Sequence, residues 1–294
     1  PVYDRYQGTS VQVMHFCTLF DRNYACKGLA LYKSLMANVP EGEATLHILA
    51  LDDRTYDVVK NLKNTTTTKL EDLIAQTPGL AEAKDNRTWQ ELAWTLGSVW
   101  GLHCARKVGT ICYLDADSFI MSEIGSSYWK YAKYPVALTP HRFAKKDEER
   151  LLPNGFYNVN FVMIGPGGIP FLEDWSKACI AWCYNRVEDW RMGDQKYTET
   201  LGEKHHAVDI NELGINCGPW NAFQYKYSVE NGIVYAEGLG RKDPLVVYHS
   251  HEFLHDINGN VIRRTNWDVT GEMAELIYAP YELLIKEVVR EFLA

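Results

Sequence analysis

Hydrophobic residues in this chain form short runs that alternate with longer segments of helical periodicity. Apolar and β-branched runs at 11–20, 45–51 and 108–114 are typical of buried strands. Between them, 27–38 and 88–107 repeat apolar residues with the spacing of a helix that buries one face. This order predicts an α/β protein with a mostly parallel central sheet flanked by helices.

The second half of the chain continues the alternation. Apolar runs predict strands at 135–139, 156–164 and 245–248, and the chain closes with a predicted helix at about 271–292. The polar residues 64–68 predict a break between elements. Lys145 to Arg150 predicts a solvated loop or helix face, with a loop covering a substrate as the alternative.

Two carboxylates, Asp115 and Asp117, follow the apolar run that ends at Leu114. Side chains two residues apart point the same way on an extended backbone, so both can reach one divalent cation if the extension persists. Ligands of parallel sheets bind beyond the carboxyl ends of the strands. An aspartate pair at a strand end is also common turn chemistry, so the pair alone leaves both interpretations open.

Other polar side chains accompany later predicted elements. Asn158 and Asn160 share one side of a strand, where amides either satisfy a sheet edge or recognise hydroxyl groups. Asp194 precedes a short helix and is most simply its N-cap. His249 ends a strand, where an imidazole would complete a metal site begun by two carboxylates.

Composition narrows the class of protein. A chain of 294 residues with 46% hydrophobic and 23% charged residues is typical of a globular protein. The net charge of −8, without a cluster of Lys and Arg, argues against a nucleic-acid partner. Seven cysteines, most of them in apolar runs, indicate reduced thiols. We find no apolar stretch of about 20 residues and no secretion signal, which predicts a cytoplasmic location and leaves attachment to the inner face of the membrane open.

The chain also carries five motifs in a defined order. They are Thr18-Leu19-Phe20-Asp21-Arg22-Asn23-Tyr24 with its following helix, Tyr113-Leu114-Asp115-Ala116-Asp117, Tyr157-Asn158-Val159, Gly193-Asp194-Gln195 and Val247-Tyr248-His249. Their order resembles the nucleotide-sugar glycosyltransferases of the GT-A superfamily, of the glycogenin and bacterial lipooligosaccharide galactosyltransferase type. Thr139 to Arg142 and Trp220-Asn221 look more like glycosyltransferases of bacterial surface-polysaccharide clusters.

The resemblance implies the GT-A fold, a Rossmann-like nucleotide-diphospho-sugar transferase fold, and roles for individual residues. The residues that would hold Mn²⁺ or Mg²⁺ are Asp115, Asp117 and His249. The nucleoside pocket would consist of Thr18, Leu19, Asp21 and Tyr24, together with Asp115 and Ala116, and Tyr24 would stack on the base. The residues that would face the donor sugar or the reacting centre are Asn158, Asp194 and Gln195.

The activity implied is the metal-dependent transfer of a sugar, with retention, from a nucleoside-diphosphate sugar, expected to be a UDP-sugar. The acceptor would be a carbohydrate or glycolipid hydroxyl in bacterial surface-polysaccharide synthesis. We expect one domain over 1–294, with a nucleotide-binding part at about 11–125, an acceptor and sugar part at about 126–270 and a C-terminal helix at about 271–294. The sequence does not predict an oligomeric state.

The chain departs from the family pattern in three places. Asn160 stands where a glycine is usual, and His249 to Phe253 lacks the usual glycine and Lys-Pro-Trp. That lysine usually meets the diphosphate, so either His251, Arg241 or Lys242 replaces it or no residue does. Whether His249 or His251 binds metal also stays open. The basic residue expected in the helix before Asp115 has two candidates, Arg87 and Arg106.

Two other interpretations compete with a glycosyltransferase. Phosphatases of the haloacid dehalogenase type also begin with a strand and Asp-x-Asp, but their motif lies near the N-terminus, whereas Asp115 lies past position 110 and Ser118-Phe119 follows the pair. A scaffold that binds nucleotide sugars without turnover is the second alternative, because fold does not imply function. The presence of Asp115, Asp117, Asp194 and His249 speaks against it.

Overall fold

The computed structural model describes residues 12–293; Val11 of the first predicted strand and Ala294 of the predicted C-terminal helix lie outside this range. The strands of the described part, in chain order, are β1 (Met14–Phe20), β2 (Ala44–Ala50), β3 (Thr65–Lys69), β4 (Ile111–Leu114), β5 (Ser118–Ile120), β6 (Val136–Pro140), β7 (Tyr157–Ile164), β8 (Val208–Asp209), β9 (Ile215–Cys217), β10 (Lys226–Glu230), β11 (Ile233–Gly238), β12 (Arg241–Pro244), β13 (Val247–His249), β14 (Leu254–His255) and β15 (Val261–Arg263).

Helices cover both faces of the central sheet, which seven of these strands form. They are α1 (Ala25–Ala37), α2 (Asp53–Val59), α3 (Leu70–Gln76), α4 (Leu80–Asp85), α5 (Trp89–Val108), α6 (Gly125–Ala132), α7 (Leu151–Asn154), α8 (Ile169–Ala181), α9 (Tyr197–Lys204), α10 (Pro219–Ala222), α11 (Gly271–Met273) and α12 (Ala279–Val288). A 3₁₀ helix occupies Lys145–Arg150, and π-helical turns at Ala274–Tyr278 and Val289–Leu293 make 271–293 one helical segment.

The central sheet has seven strands in the order β3-β2-β1-β4-β7-β6-β8. Neighbours from β3 to β4 are parallel, as are β6 and β8, whereas β7 is antiparallel to both β4 and β6. The prediction of a mostly parallel sheet flanked by helices is therefore confirmed. Because β1 and β4 are parallel neighbours, the residues after Phe20 and after Leu114 leave the sheet at the same edge.

A smaller sheet, in the order β5-β13-β9, meets this edge. Strand β13 runs antiparallel to β5, and its register pairs His249 with Ser118 and Tyr248 with Phe119. The pairing brings a histidine from position 249 beside the residues that follow β4, although more than a hundred residues separate them in the chain.

Two apolar clusters bury the two faces of the central sheet. On one face Leu114 packs with residues of α1 and α12, such as Leu29 and Tyr281. On the other face Tyr113 packs with residues of α5 and α8, such as Trp100. Full burial of a side chain of this kind contributes roughly 1.5–3 kcal/mol. Because both faces are covered, β4 is apolar at every position instead of alternating.

A capping box fixes the start of α5, the helix that leads into β4. The Thr88 side chain accepts from the Glu91 N–H at 3.3 Å, and the Glu91 carboxylate accepts from the Thr88 N–H at 2.9 Å. Gly109 ends the helix with a φ of 83°, a left-handed conformation that suits glycine. The helix predicted at 88–107 is confirmed to within one residue.

The predicted break at 64–68 was wrong. Thr65–Lys69 forms β3, which pairs in parallel with β2 along its whole length, for example Thr66 with His47. Threonine is β-branched and favours strands. As an edge strand β3 has one neighbour and is only partly covered, so a polar run can extend the sheet without the apolar residues that a central strand requires.

Candidate active site

Asp115 and Asp117 lie in a tight turn between β4 and β5. The Asp115 carbonyl accepts hydrogen bonds from the backbone N–H and the hydroxyl of Ser118, at 3.0 and 2.7 Å. The Asp117 carbonyl accepts one from the Ser250 N–H at 2.8 Å, which ties the turn to the end of β13. The extended backbone considered in the sequence analysis therefore does not persist beyond Leu114. The two interpretations of the aspartate pair are therefore compatible, because the two residues form a turn and their carboxylates face one site.

His249 faces both carboxylates from the end of β13. Its Nε2 lies 3.1 Å from Oδ1 of Asp117 and 3.9 Å from Oδ2 of Asp115. His251 joins the same group, because ligand atoms of Asp117, His249 and His251 lie within 4.8 Å of one another. The structure thus brings together the three predicted metal residues and adds a second imidazole.

Burial and mutual attraction make the two carboxylates unequal. Burial, opposed by His249 and reinforced by the charge of Asp117, raises the pKa of Asp115. Burial acts in the same direction on Asp117, but attraction to His249 and the hydrogen bond with it outweigh burial and hold the pKa of Asp117 well below its usual range. The pKa of His249 is raised, because the two carboxylates outweigh the effect of its burial. Asp117 is therefore the more readily ionised of the pair.

The cluster fits a divalent cation. Protein oxygen and nitrogen ligands lie about 2.0–2.2 Å from such ions, so two ligands of one ion are separated by roughly 3–4.3 Å. The separations from His249 Nε2 to the two carboxylates, 3.1 and 3.9 Å, fall within that interval. His249 Nδ1 is also buried and has no hydrogen-bond partner among the described residues. The ring therefore makes no hydrogen bond outside the cluster that would compete with a cation.

The cluster lies on the wall of a cleft of about 670 Å³ at the carboxyl edge of the sheet. All but one of the site residues predicted from the sequence line this cleft: Leu19, Asp21, Tyr24, Asp115, Ala116, Asp117, Asn158, Asp194, Gln195 and His249. The exception is Thr18. It is fully buried within β1 and its side chain does not reach the cleft.

Asp21 organises the end of the cleft that follows β1. Its Oδ1 accepts from the backbone N–H groups of Asn23 and Tyr24, both at 3.0 Å. Its Oδ2 accepts from the Asn23 side chain at 3.0 Å and from the indole N–H of Trp89 at 2.8 Å. Tyr24 is left 46% exposed on the cleft wall, where a flat ligand can reach its ring.

Asn158, Asp194 and Gln195 form another part of the wall. Asn158 Nδ2 donates toward Gln195 Oε1 at 3.4 Å, while its Oδ1 accepts from Asn216 Nδ2 at 3.0 Å. Asp194 is buried, and the Trp175 indole N–H donates to its carbonyl at 3.0 Å. Burial first, and then the charge of Asp115, raises the pKa of Asp194 to about 7. The interpretation of Asp194 as a helix cap was wrong, since Lys196 precedes α9 without a side-chain cap.

Asn160 does not share the setting of Asn158. It is fully buried, and its side-chain amide lies 2.6 Å from the Ser118 hydroxyl oxygen beneath the aspartate turn. A register shift between β6 and β7, where Leu138 pairs with Val162 but Thr139 with Asn158, breaks the simple alternation of the strand. Asn160 therefore supports the turn, and Asn158 alone faces the cleft.

Several aromatic residues of the cleft were missed from the sequence. Trp89 and Trp94 lie in the segment 88–107, which was predicted to be a helix that buries one face, yet both line the cleft, and Trp89 is 44% exposed. Helix α5 precedes β4 and runs opposite to it, so its first turn lies at the carboxyl edge of the sheet. This expected orientation of the helix could have indicated from the sequence that its first residues face the cleft. Trp220, noted in the sequence as part of Trp220-Asn221, packs edge-on against His249, with 5.2 Å between ring centroids.

Except for His251, the basic residues that the sequence offered as candidates do not line the cleft. Arg241 pairs with Asp243 at 3.0 Å, and Lys242 pairs with Glu230. The two helix candidates are also engaged outside the cleft, Arg87 with Thr95 and the Ile180 carbonyl, and Arg106 with Glu173. None of the four lines the cleft, whereas His251 and Arg150 do.

Comparison with known proteins places the fold. No family model matches the chain. Two curated proteins of Bacillus subtilis (strain 168) are similar in sequence: the uncharacterized protein YfnD is 26% identical, with 96% of this chain and 91% of YfnD covered, and the uncharacterized protein YfnF is 26% identical, with 80% of each covered.

Among solved structures, the galactosyltransferase LgtC in complex with donor and acceptor sugar analogs has a TM-score of 0.56 at 15% identity, covering 96% of this chain and 97% of LgtC. Mouse xyloside xylosyltransferase 1 has a TM-score of 0.53 at 14% identity, covering 81% of this chain and 98% of that protein. The chain therefore has the GT-A fold of these glycosyltransferases, as the sequence motifs predicted. Within residues 12–293, no helix combines the length and apolar character needed to cross a bilayer.

Proposed function

We propose that the protein is a metal-dependent glycosyltransferase that moves a sugar from a nucleoside-diphosphate sugar to an acceptor hydroxyl. The observation that carries this proposal is the meeting of Asp115, Asp117 and His249 in one cleft with Asp194 and Gln195. The GT-A fold supports it and removes the basis of the phosphatase alternative, which requires a different fold.

Sugar transfer breaks the bond between the anomeric carbon and an oxygen of the donor diphosphate, and negative charge develops on the departing diphosphate. A divalent cation, when bound, supplies neutralising charge without transfer of a proton. In this chain Asp115, Asp117 and His249 would hold that cation, and His251 would add a fourth ligand. Asp117 is suited to this role because it is ionised over the whole physiological pH range.

We further propose that Asn158 and Gln195 bind hydroxyl groups of the donor sugar, since their amides lie 3.4 Å apart on the cleft wall. The carboxylate of Asp194 would face the positive charge that develops at the anomeric carbon. Its ionised form is disfavoured by burial and by the negative charge of Asp115. Positive charge placed at Asp115 therefore favours ionised Asp194, which couples the two parts of the site.

Retention of anomeric configuration is the stereochemistry we propose. It rests on the likeness of Tyr157-Asn158-Val159 and Gly193-Asp194-Gln195 to the motifs of the retaining family. The position of Asp194 supports it, because a retaining site stabilises the anomeric carbon from the side of the enzyme. An inverting enzyme would instead need a carboxylate base beside the acceptor hydroxyl.

Among the two cations considered, the donor set favours Mn²⁺. Mg²⁺ prefers oxygen ligands and is usually held by one or two carboxylates with substrate phosphates. A site that offers the imidazoles of His249 and His251 beside Asp117 suits an ion that accepts nitrogen ligands more readily. Mn²⁺ is accordingly the first ion to test.

We propose a UDP-sugar as donor and a carbohydrate or glycolipid as acceptor, in bacterial surface-polysaccharide synthesis. The LgtC structure was obtained with donor and acceptor sugar analogs, and the similar curated proteins are bacterial, which supports this direction. Phe143, Trp220 and Trp267 line the cleft and make part of its wall apolar. We also propose that the chain forms a single domain with the three parts given above. The same proposal includes a cytoplasmic location or attachment to the membrane, without a nucleic-acid partner.

Calorimetric titration with nucleoside diphosphates of different bases, with and without Mn²⁺, tests the donor site. We expect one preferred base and tight binding only with Mn²⁺. The double variant Asp115→Asn, Asp117→Asn should lose at least about 100-fold in affinity, since even neighbours of metal ligands contribute 10–100-fold. His251→Ala should weaken binding if its imidazole is a ligand.

Asp53→Asn is the matched control, because Asp52 and Asp53 form another aspartate pair after a parallel strand, outside the cleft, and Asp53 is exposed and pairs with Lys69. It should bind nucleotide like the wild type. Equal binding by the double variant and the wild type would contradict the assignment of the metal site.

A further inference from the structure

Lys27 is a buried cation beside the candidate donor site. It lies in the first turn of α1, is only 5% exposed, and its Nζ stands 4.5 Å from the centroid of the Tyr24 ring. Within residues 12–293 no carboxylate oxygen lies within 4.0 Å of this ammonium. Burial of a charge without an ionic partner costs several kcal/mol, so such a lysine requires an explanation.

The charge of Lys27 acts on the metal cluster from behind Tyr24. Burial lowers the pKa of Lys27, and the negative charge of Asp117 opposes that effect. Reciprocally, Lys27 helps to hold the pKa of Asp117 low and acts against protonation of His249 and His251. Lys27 does not line the cleft itself, but its ammonium lies 4.5 Å from the centroid of the Tyr24 ring, which lines the same cleft as Asp117.

We propose that Lys27 is a positioning residue of the donor site, which holds the Tyr24 ring as a platform for the base and places a fixed positive charge beside the diphosphate. The proposal rests on the function proposed above, in which Tyr24 and Asp117 belong to that site. A cation against one face of a tyrosine ring is attracted to it by about 0.5–2 kcal/mol. The opposite face is then free for a base, in agreement with the exposure of Tyr24 to the cleft.

A fixed positive charge at this place has opposite effects on the two ligands. It repels a divalent cation that binds alone, and it attracts an anionic diphosphate. Removing the charge should therefore strengthen the binding of Mn²⁺ alone and weaken the binding of UDP in its presence. A lysine that only stabilised the fold would not separate the two affinities in this way.

The experiment compares Lys27→Met, which keeps an unbranched apolar side chain without the ammonium, with Lys27→Arg, which keeps the charge. Lys69→Met is the matched control, because Lys69 lies 4.7 Å from the ring of Tyr56 outside the cleft. Binding of Mn²⁺ alone is followed by the electron paramagnetic resonance of free Mn²⁺. Binding of UDP and of uridine with saturating Mn²⁺ is measured by calorimetry, and thermal unfolding is recorded for every variant.

We expect Lys27→Met to bind UDP about tenfold more weakly, to bind uridine with a smaller loss, and to bind Mn²⁺ alone more tightly, whereas Lys27→Arg stays within about threefold of the wild type. The proposal is overturned if Lys27→Met binds UDP like the control, or if it weakens Mn²⁺ and UDP together. If the wild type itself binds no nucleotide with Mn²⁺, the proposed function fails instead, and the two failures are distinguishable.

Discussion

Replacing Asp21 by alanine is predicted to loosen the loop that carries Tyr24 and to weaken nucleotide binding. The Asp21 carboxylate accepts four hydrogen bonds at 2.8–3.0 Å, two from backbone N–H groups of the loop, one from the Asn23 side chain and one from Trp89. It therefore joins the end of β1 to the start of α5 across the cleft. Alanine retains none of these contacts.

The magnitude follows from what happens to the four donors. A hydrogen bond to a charged group contributes about 1.5–3 kcal/mol. Asn23 is exposed, so its two donors regain water, and the Tyr24 N–H keeps a bond of 3.1 Å to the Asp21 carbonyl. The net loss should therefore be near that of one such bond, about 2 kcal/mol. If ligand binding must order the loop again, this loss corresponds to roughly 30-fold weaker binding.

Urea unfolding and calorimetry with UDP and Mn²⁺ measure the two effects. Asp21→Asn is the graded comparison, because it keeps one oxygen for the two backbone donors and loses the acceptor that faces Trp89. We expect affinities in the order wild type, asparagine, alanine. Wild-type affinity in the alanine variant would refute the reasoning, since the loop would then be ordered without this carboxylate.

Two further predictions concern stability. Burial, with smaller effects from neighbouring cations, lowers the pKa of His47 from 6.5 to about 4. The unfolded chain therefore binds this proton first, and up to about 3 kcal/mol of stability, complete above pH 6.5, is lost as the pH falls toward 4. Urea unfolding across this range should show a flatter profile for His47→Asn, and an unchanged profile would contradict the assignment. For Gly28→Ala, the new Cβ would lie 2.4 Å from the Phe20 ring, so thermal unfolding should reveal a loss of about 1–3 kcal/mol, and wild-type stability would show that the ring can move.

Local patterns were sufficient for the parts of the molecule that depend on local chemistry. The continuous apolar residues of β4 predicted a buried strand, and the apolar periodicity of 88–107 predicted α5 to within one residue. The aspartate pair after β4 was located correctly at the carboxyl edge, because parallel sheets collect their ligands there.

Features that depend on pairing between distant segments could not be predicted from local sequence patterns. β3 is a strand because β2 offers its edge to four consecutive threonines, whereas the sequence shows only a polar run. Trp89 and Trp100 belong to one helix and have the same side chain, yet the first faces the cleft and the second the core, because their distances from the edge of the sheet differ.

The group of Asp115, Asp117, His249 and His251 combines local and long-range features. His249 was predicted from its strand end and from the family motif, but its 3.1 Å separation from Asp117 depends on the pairing of β13 with β5. The inclusion of His251 follows from the path of the chain after β13, which a sequence pattern does not specify. The same limit explains why Arg241 and Lys242 were considered for the diphosphate, although β12 places both outside the cleft.

Release of UDP from a panel of UDP-sugars, followed with Mn²⁺, after chelation and after renewed addition of Mn²⁺, measures whether sugar transfer depends on a metal held by Asp117. We predict turnover of a preferred UDP-sugar that requires the ion, returns when the ion is restored, and falls at least about 100-fold in Asp117→Asn but not in Asp53→Asn. Turnover that persists without metal, or that Asp117→Asn leaves unchanged, would contradict it.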